Sequence, residues 1–376
     1  MFFRATKQGG TAVALLFCAG VLLAQTAEPS GASAPAGLGD PVLLKRPAAK
    51  PDAPRPTITH EGKIHLDVLV ADTAGKPAAG LEPWDFTVLD NGARRKILSF
   101  RSYDGVQTKP DPPVEAILLL DRVSLNFQQA ATARAQVRQF LLAEDGKLPL
   151  PVSLMALTDA GLRAQPRPST DGKALVKALD SIESNVHRYT SAMGGEGSVE
   201  RMKVATRALM QIAESEAKKP GRKILLWIGP GWPQLSDQTL SYTAQTRRDQ
   251  LNNFKTVVDI TNWLREARIT LYSLGGGDAF FFREELKPAA TAEKLLNSSL
   301  ATQVFAVHSG GRTVTSSNYT DIADWIGRCV AESQAFYTLS FDPPPGAKAD
   351  EYHELKVDVD KPGRTARTTT GYYGGP

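Results

Sequence analysis

Apolar and polar positions follow two rhythms along this chain. From His60 to Phe100 the period is two: Ile64, Leu66, Val68 and Val70 alternate with His65, Asp67 and Leu69, and Phe86 and Val88 repeat the pattern. That period belongs to strands buried on one face. Asp72–Gly75 reads as a turn, Asn91-Gly92 as a tight hairpin, and Ile97–Phe100 as its return strand. From Val114 the rhythm changes. Unbroken apolar runs predict strands over Ala116–Asp121, Val152–Thr158, Lys223–Ile228, Ile269–Leu274 and Arg312–Thr315. Between them, helical spacing covers Phe127–Ala143, Lys173–Ile182, Val199–Ala213, Phe254–Ala267 and Tyr319–Val330. Runs without alternation suit strands covered on both faces of a parallel sheet, and their alternation with helices marks βαβ units. From Ala335 the period returns to two, through Tyr337, Leu339 and Phe341, then Leu355, Val357 and Val359, with a last strand ending at Tyr372-Tyr373.

The order of these rhythms divides the 376 residues. Arg4 and Lys7 precede an apolar stretch, Thr11–Ala24, that is short for a membrane span, so residues 1–27 read as a secretory signal peptide, with a retained anchor as the alternative. Residues 28–57, rich in Ala, Pro and Gly, read as a disordered linker. An N-terminal β segment (58–106), an α/β block (114–333) and a C-terminal β segment (334–376) follow. The expected fold class is α/β: a doubly wound, mostly parallel sheet flanked by two β segments that pack together as one β-sandwich.

Composition narrows the function classes. The net charge is +4, and +2 without Arg4 and Lys7, too weak and dispersed for nucleic acid. Without Cys18 the only thiol is Cys329, on the apolar stripe Ile322, Trp325, Ile326, Cys329, Val330, which makes it a buried small hydrophobe. The five histidines are scattered with no zinc spacing. Gly275-Gly-Gly-Asp278 lacks the spacing and the lysine of a phosphate cradle, and Gly229-Pro-Gly231 encloses no serine nucleophile. Nothing here points to an enzyme or a small-molecule substrate.

The one stretch that hints at chemistry is Val114–Asn126, where an apolar run stops at Asp121 and is followed by Arg122, Ser124 and Asn126. Ligands of open α/β sheets bind beyond the carboxyl ends of the strands. With Ala116-Ile-Leu-Leu-Leu-Asp121, the stretches Leu81–Gly92, Ser309-Gly-Gly-Arg312, Phe336–Ser340, Tyr352–Lys356 and Gly371-Tyr-Tyr373 make the block resemble a von Willebrand factor A domain. More narrowly, the folded chain is similar to the secreted von-Willebrand-A-related proteins of Acidobacteria. The resemblance implies adhesion or protein interaction. It also implies a site for Mg²⁺ or another divalent cation, built from an Asp, hydroxyls two and four residues beyond it, a Thr from a second loop and an Asp after a later strand.

The sequence departs from that pattern. Val123 and Leu125 stand at the hydroxyl positions, Ser124 and Asn126 are one residue out of register, and Gly229 stands where the second acid is expected. Glu196 or Ser198, in Gly194–Ser198, would replace the Thr. Asp121, Ser124, Asn126 and Ser198 are therefore the candidate ligands of a degenerate cation site, and Arg122, Glu196 and Phe281 are candidate partner contacts. The alternative for Asp121, Ser124 and Asn126 is capping of loop and helix N–H groups. Phe281 sits in Phe280-Phe-Phe282, which either forms a contact patch or packs beneath its loop. The resulting expectation is an exported, non-enzymatic module, periplasmic, envelope-associated or secreted, whose partner is a protein. The alternative is a structural or assembly component of the envelope with a vestigial metal site.

Overall fold

The computed structural model describes residues 38, 41–44, 62–105, 107–182, 194–232, 247–276, 284, 286–346 and 348–374, with 194–196, 198, 297 and 298 described by backbone alone. The signal segment, most of the linker, Phe281 and residues 236–246 of the polar stretch Ser236–Asn253 lie outside them. In chain order the strands before the α/β block are β1 (Val42–Leu43), β2 (Ile64–Asp72), β3 (Phe86–Asp90), β4 (Ala93–Arg95) and β5 (Ser99–Tyr103). The block comprises β6 (Glu115–Asp121), α1 (Phe127–Leu142), β7 (Lys147–Thr158), β8 (Gly161–Ala164), β9 (Ser169–Asp171), α2 (Gly172–Ile182), α3 (Gly194–Ala217), β10 (Lys223–Ile228), α4 (Arg247–Glu266), β11 (Ile269–Leu274), α5 (Thr302–His308), β12 (Thr313–Val314) and α6 (Ile322–Ser333). The chain closes with β13 (Phe336–Phe341), β14 (Glu351–Val359), β15 (Arg364–Arg367) and β16 (Gly371–Gly374).

The two β segments form one sandwich. Its sheets run β15-β2-β13-β5 and β16-β14-β3-β4, so each takes strands from both ends of the chain. Ile64, Leu66, Val68, Phe86, Val88, Leu339, Phe341, Leu355 and Val357 close over a single shared core. The hairpin differs from expectation. Asn91 and Gly92, both at positive φ, make a two-residue turn that returns at once into β4, and the predicted return strand, as β5, crosses to pair with β13 in the other sheet. Two central residues at positive φ match the right-handed strand twist, which is why the turn is so short.

The block is a doubly wound, mostly parallel sheet. Strand order is β1-β8-β7-β6-β10-β11-β12, parallel from β7 to β12, with β8 and β1 antiparallel at one edge. Side chains on β6 alternate between two cores. Ala116, Leu118 and Leu120 pack under α1, α2 and α6, while Ile117 and Leu119 pack under α3, α4 and α5. Both faces are covered, and this explains the unbroken apolar runs.

Several elements escaped the sequence pattern. β7 begins five residues early, where Lys147 pairs with Asp171 of β9, and Pro149 and Pro151 are tolerated because they lie ahead of the β6 ladder, which starts at Val152. Val42–Leu43, inside the stretch read as linker, pairs with Ala164 and Arg163 as an edge strand. Leu38 and Leu44 pack against the two cores, and these scattered leucines carried no periodic signal. Gly194–Ser198, expected as a loop, forms the first turns of α3.

The sandwich is fastened to the block by polar pairs. Arg268 donates to both oxygens of Asp67 at 3.1 and 2.6 Å, and Asn262 exchanges two hydrogen bonds with the Tyr373 backbone at 2.9 and 3.0 Å. Leu69, on the outer face of β2, joins the core beneath α1.

Candidate functional site

In a sheet of this order the crevice opens where the winding reverses, between β6 and β10. Asp121 is the last residue of β6 and is fully buried. Its Oδ1 accepts the backbone N–H groups of Val123 at 3.1 Å and Ser124 at 3.0 Å. Its Oδ2 accepts the indole Nε1–H of Trp227 at 3.1 Å. Leu119 pairs with Trp227 across the β6–β10 ladder, which puts Trp227 and Asp121 on the same face of the sheet. Burial pushes the Asp121 carboxyl above its ordinary range, while the Trp227, Ser124 and Val123 donors oppose that shift.

The residues around Asp121 seal it. Val123 packs into the core beneath α3 and α4, and Leu125 into the opposite core beneath α1, so the loop is held by both of its apolar side chains. Asn126 is the N-cap of α1: its Oδ1 accepts from Gln129 N at 2.9 Å, and Gln129 Oε1 accepts from Asn126 N at 3.1 Å. Gly229 has φ of 149°, and a Cβ there would lie 2.7 Å from Asp121 Cβ. The position expected to carry the second acid thus has no room for any side chain. Trp227 is itself fully buried and meets Trp232 edge-on at 5.4 Å, and Trp232 donates to Leu300 O.

The structure brings together Asp121, Ser124 and Asn126, but as a capped turn. The Ser124 hydroxyl is buried without a partner of hydrogen-bond geometry, although it lies close enough to Asp121 to favour the ionised form. Ser273, beside Trp227 on β11, is another buried hydroxyl without a partner. Arg122 is half-buried at the rim, with its N–H donating to Leu157 O at 3.0 Å. Glu196 and Ser198 stand in the first turns of α3, and their side chains, like Phe281, lie outside the described residues. Phe127, at the start of α1, is 67% exposed beside this turn.

Tested against Mg²⁺, the donor set does not fit. The cation needs oxygen ligands in near-octahedral array and retains several waters. Asp121 already accepts three N–H donors in a fully buried setting, Val123 and Leu125 supply core side chains, Asn126 is a helix cap, and the one hydroxyl of the turn, Ser124, is itself buried. Sequence reasoning missed Trp227. The signal was there: an indole N–H inside the apolar run Ile224-Leu-Leu-Trp-Ile228 must find an acceptor.

Other candidates resolve into structure. Burial raises the Cys329 thiol to about 12, which suits packing and not reactivity. His353 Nδ1 lies 2.9 Å from Asp90 Oδ1, and Tyr372 donates to the other Asp90 oxygen at 2.8 Å, an interstrand network buried in the sandwich.

No family model matches the chain, and neither does any curated protein. Among solved structures it is similar to the PilB minor pilin from Streptococcus sanguinis, at 10% identity and a TM-score of 0.36, over 59% of this chain and 62% of that one. The SpRpn10 VWA domain matches at 10% identity and 0.29, over 56% of this chain and 94% of the domain. The pilus adhesin SpaC from Lactobacillus rhamnosus GG, in an open conformation, matches at 9% and 0.32, over 79% of this chain and 48% of the adhesin. The chain thus spans less than two thirds of the pilin and the adhesin. Likenesses this distant carry no chemistry, and the class of fold rests on the chain's own strand order. Among the described residues, no helix is long and apolar enough to cross a membrane.

Proposed function

We propose that the chain is an exported, non-enzymatic protein-binding module of the von-Willebrand-A-related kind, which presents the carboxyl edge of β6 to a protein partner. The observation that carries this reading is the position of the Asp121–Asn126 turn at the winding reversal of the sheet. Arg122 stands at its rim, and Phe127 is exposed beside it. Aromatic residues and arginines are enriched at protein interfaces. The sequence adds Glu196 and Phe281 as candidate partner contacts, and export rests on the leader-like pattern of residues 1–27. The division into signal, linker, two β segments and an A-type block is part of the same proposal.

The alternative is a structural or assembly component of the envelope with a vestigial metal site, working through the sandwich edges. One observation favours it: the Asp121 carboxylate is closed off from any partner. Affinity capture from the native envelope separates the two. The bait would be wild type, Arg122→Ala, Phe127→Ser, and the β5-edge change Arg101→Glu. For the leading reading, the first two variants lose about tenfold or more of the captured partner, as hot-spot truncations do, and Arg101→Glu loses none. The reverse pattern would establish the scaffold.

A further inference from the structure

We infer that this carboxyl-edge site is built to work without a divalent cation, with the Trp227 indole N–H and two loop N–H groups holding the Asp121 carboxylate in place of a metal.

An ionised Asp offers about four lone-pair positions. Three accept from Val123 N, Ser124 N and Trp227 Nε1, at 3.1, 3.0 and 3.1 Å. Gly229 crowds the carboxylate as well: a Cβ built there would stand 3.5 Å from Oδ2 and 3.4 Å from Cγ. A hydrated Mg²⁺ needs open space at an oxygen, and Asp121 has no exposed surface. The donors are also fixed. Trp227 is locked by its own burial and by Trp232, while Val123 and Leu125 pin the loop into opposite cores.

The closed arrangement has a consequence for recognition. No metal-to-carboxylate bond can bridge this chain to a partner at Asp121, so a partner docking here makes direct side-chain contacts, and chelators leave that contact intact. The inference concerns how the site is constructed and does not depend on the protein-binding reading. It is tested with metal alone, and its failure would leave that reading standing.

Calorimetry with MgCl₂ and MnCl₂ on the full chain is the first measurement. We expect no saturable heat from wild type, or a heat that Asp121→Asn retains in full because it arises elsewhere. Saturable heat in wild type that a folded Asp121→Asn loses would overturn the inference. Should Asp121→Asn fail to fold, a site-specific signal in wild type decides the matter. The indole N–H resonance of Trp227, assigned by its disappearance in Trp227→Phe, keeps its intensity on addition of one equivalent of Mn²⁺. Its selective broadening beyond detection would place the ion beside Asp121 and end the proposal.

Discussion

Asp121 shows how a buried acid can be retained for its shape as an acceptor. Its two oxygens tie the turn after β6 to the indole of β10. Replacing Trp227 by Phe keeps most of the ring but leaves Oδ2 short of a donor, a change expected to cost about 1–3 kcal/mol in urea unfolding. The acid also leaves a pH signature. Its folded pKa lies above the ordinary 3.8, so the native state holds the proton more tightly than the unfolded chain. The stability contribution is therefore fully present below 3.8 and falls as pH rises towards the raised value. Asp121→Asn removes that slope, so its deficit against wild type shrinks between acid and neutral pH in unfolding titrations. At Gly229, Ala and Asp substitutions both force a side chain against Asp121 at a φ of 149°. Each is expected to lower stability by about 2 kcal/mol or more, and Gly229→Asp restores no cation site.

At the scale of elements, β10 is held at its entry as firmly as at its exit. Lys223 is almost fully buried, and its Nζ donates to Glu216 O, Lys219 O and Ala267 O at 2.9, 2.5 and 3.2 Å. It thereby caps the carboxyl ends of α3 and α4, where a cation is favoured by both the free carbonyls and the helix dipole. Burial nonetheless pulls its pKa from 10.5 down to about 8. Between those values the unfolded chain binds the proton and the native chain does not, so this group's contribution to stability rises with pH across that window. Lys223→Met strands the three carbonyls and is expected to cost about 2–4 kcal/mol, and the rise between pH about 8 and 10.5 disappears from its unfolding curves.

At the scale of the molecule, the sandwich and the block meet through the Asp67–Arg268 and Asn262–Tyr373 pairs and through Leu69. Burial opposes the charge on Arg268, but Asp67 more than offsets it and raises the guanidinium further. Arg268→Ala leaves Asp67, whose side chain is only 9% exposed, with the Thr338 hydroxyl but no cationic partner. The expected loss is about 1–3 kcal/mol, read as a lower denaturant midpoint reported alike by probes in the sandwich and the block. Two separated transitions would show that the parts are not coupled.

Much of this architecture was legible from the chain. The strands Lys223–Ile228 and Ile269–Leu274 fall where their apolar runs place them, because a strand covered on both faces is apolar along most of its length and shows no two-residue alternation. The shared sandwich was legible too, from matching two-residue rhythms at the chain's ends. Asp121 was legible as the end of the central strand. What its oxygens face was not. The partner that settles it, Trp227, lies 106 residues away, and only the β6–β10 register sets its indole beside the carboxylate. Sequence determines which face of a strand is apolar because that depends on neighbours one and two residues away. Whether an acid at the strand's end receives a metal or an indole N–H is decided by side chains distant in sequence, and those meet only once the sheet has formed.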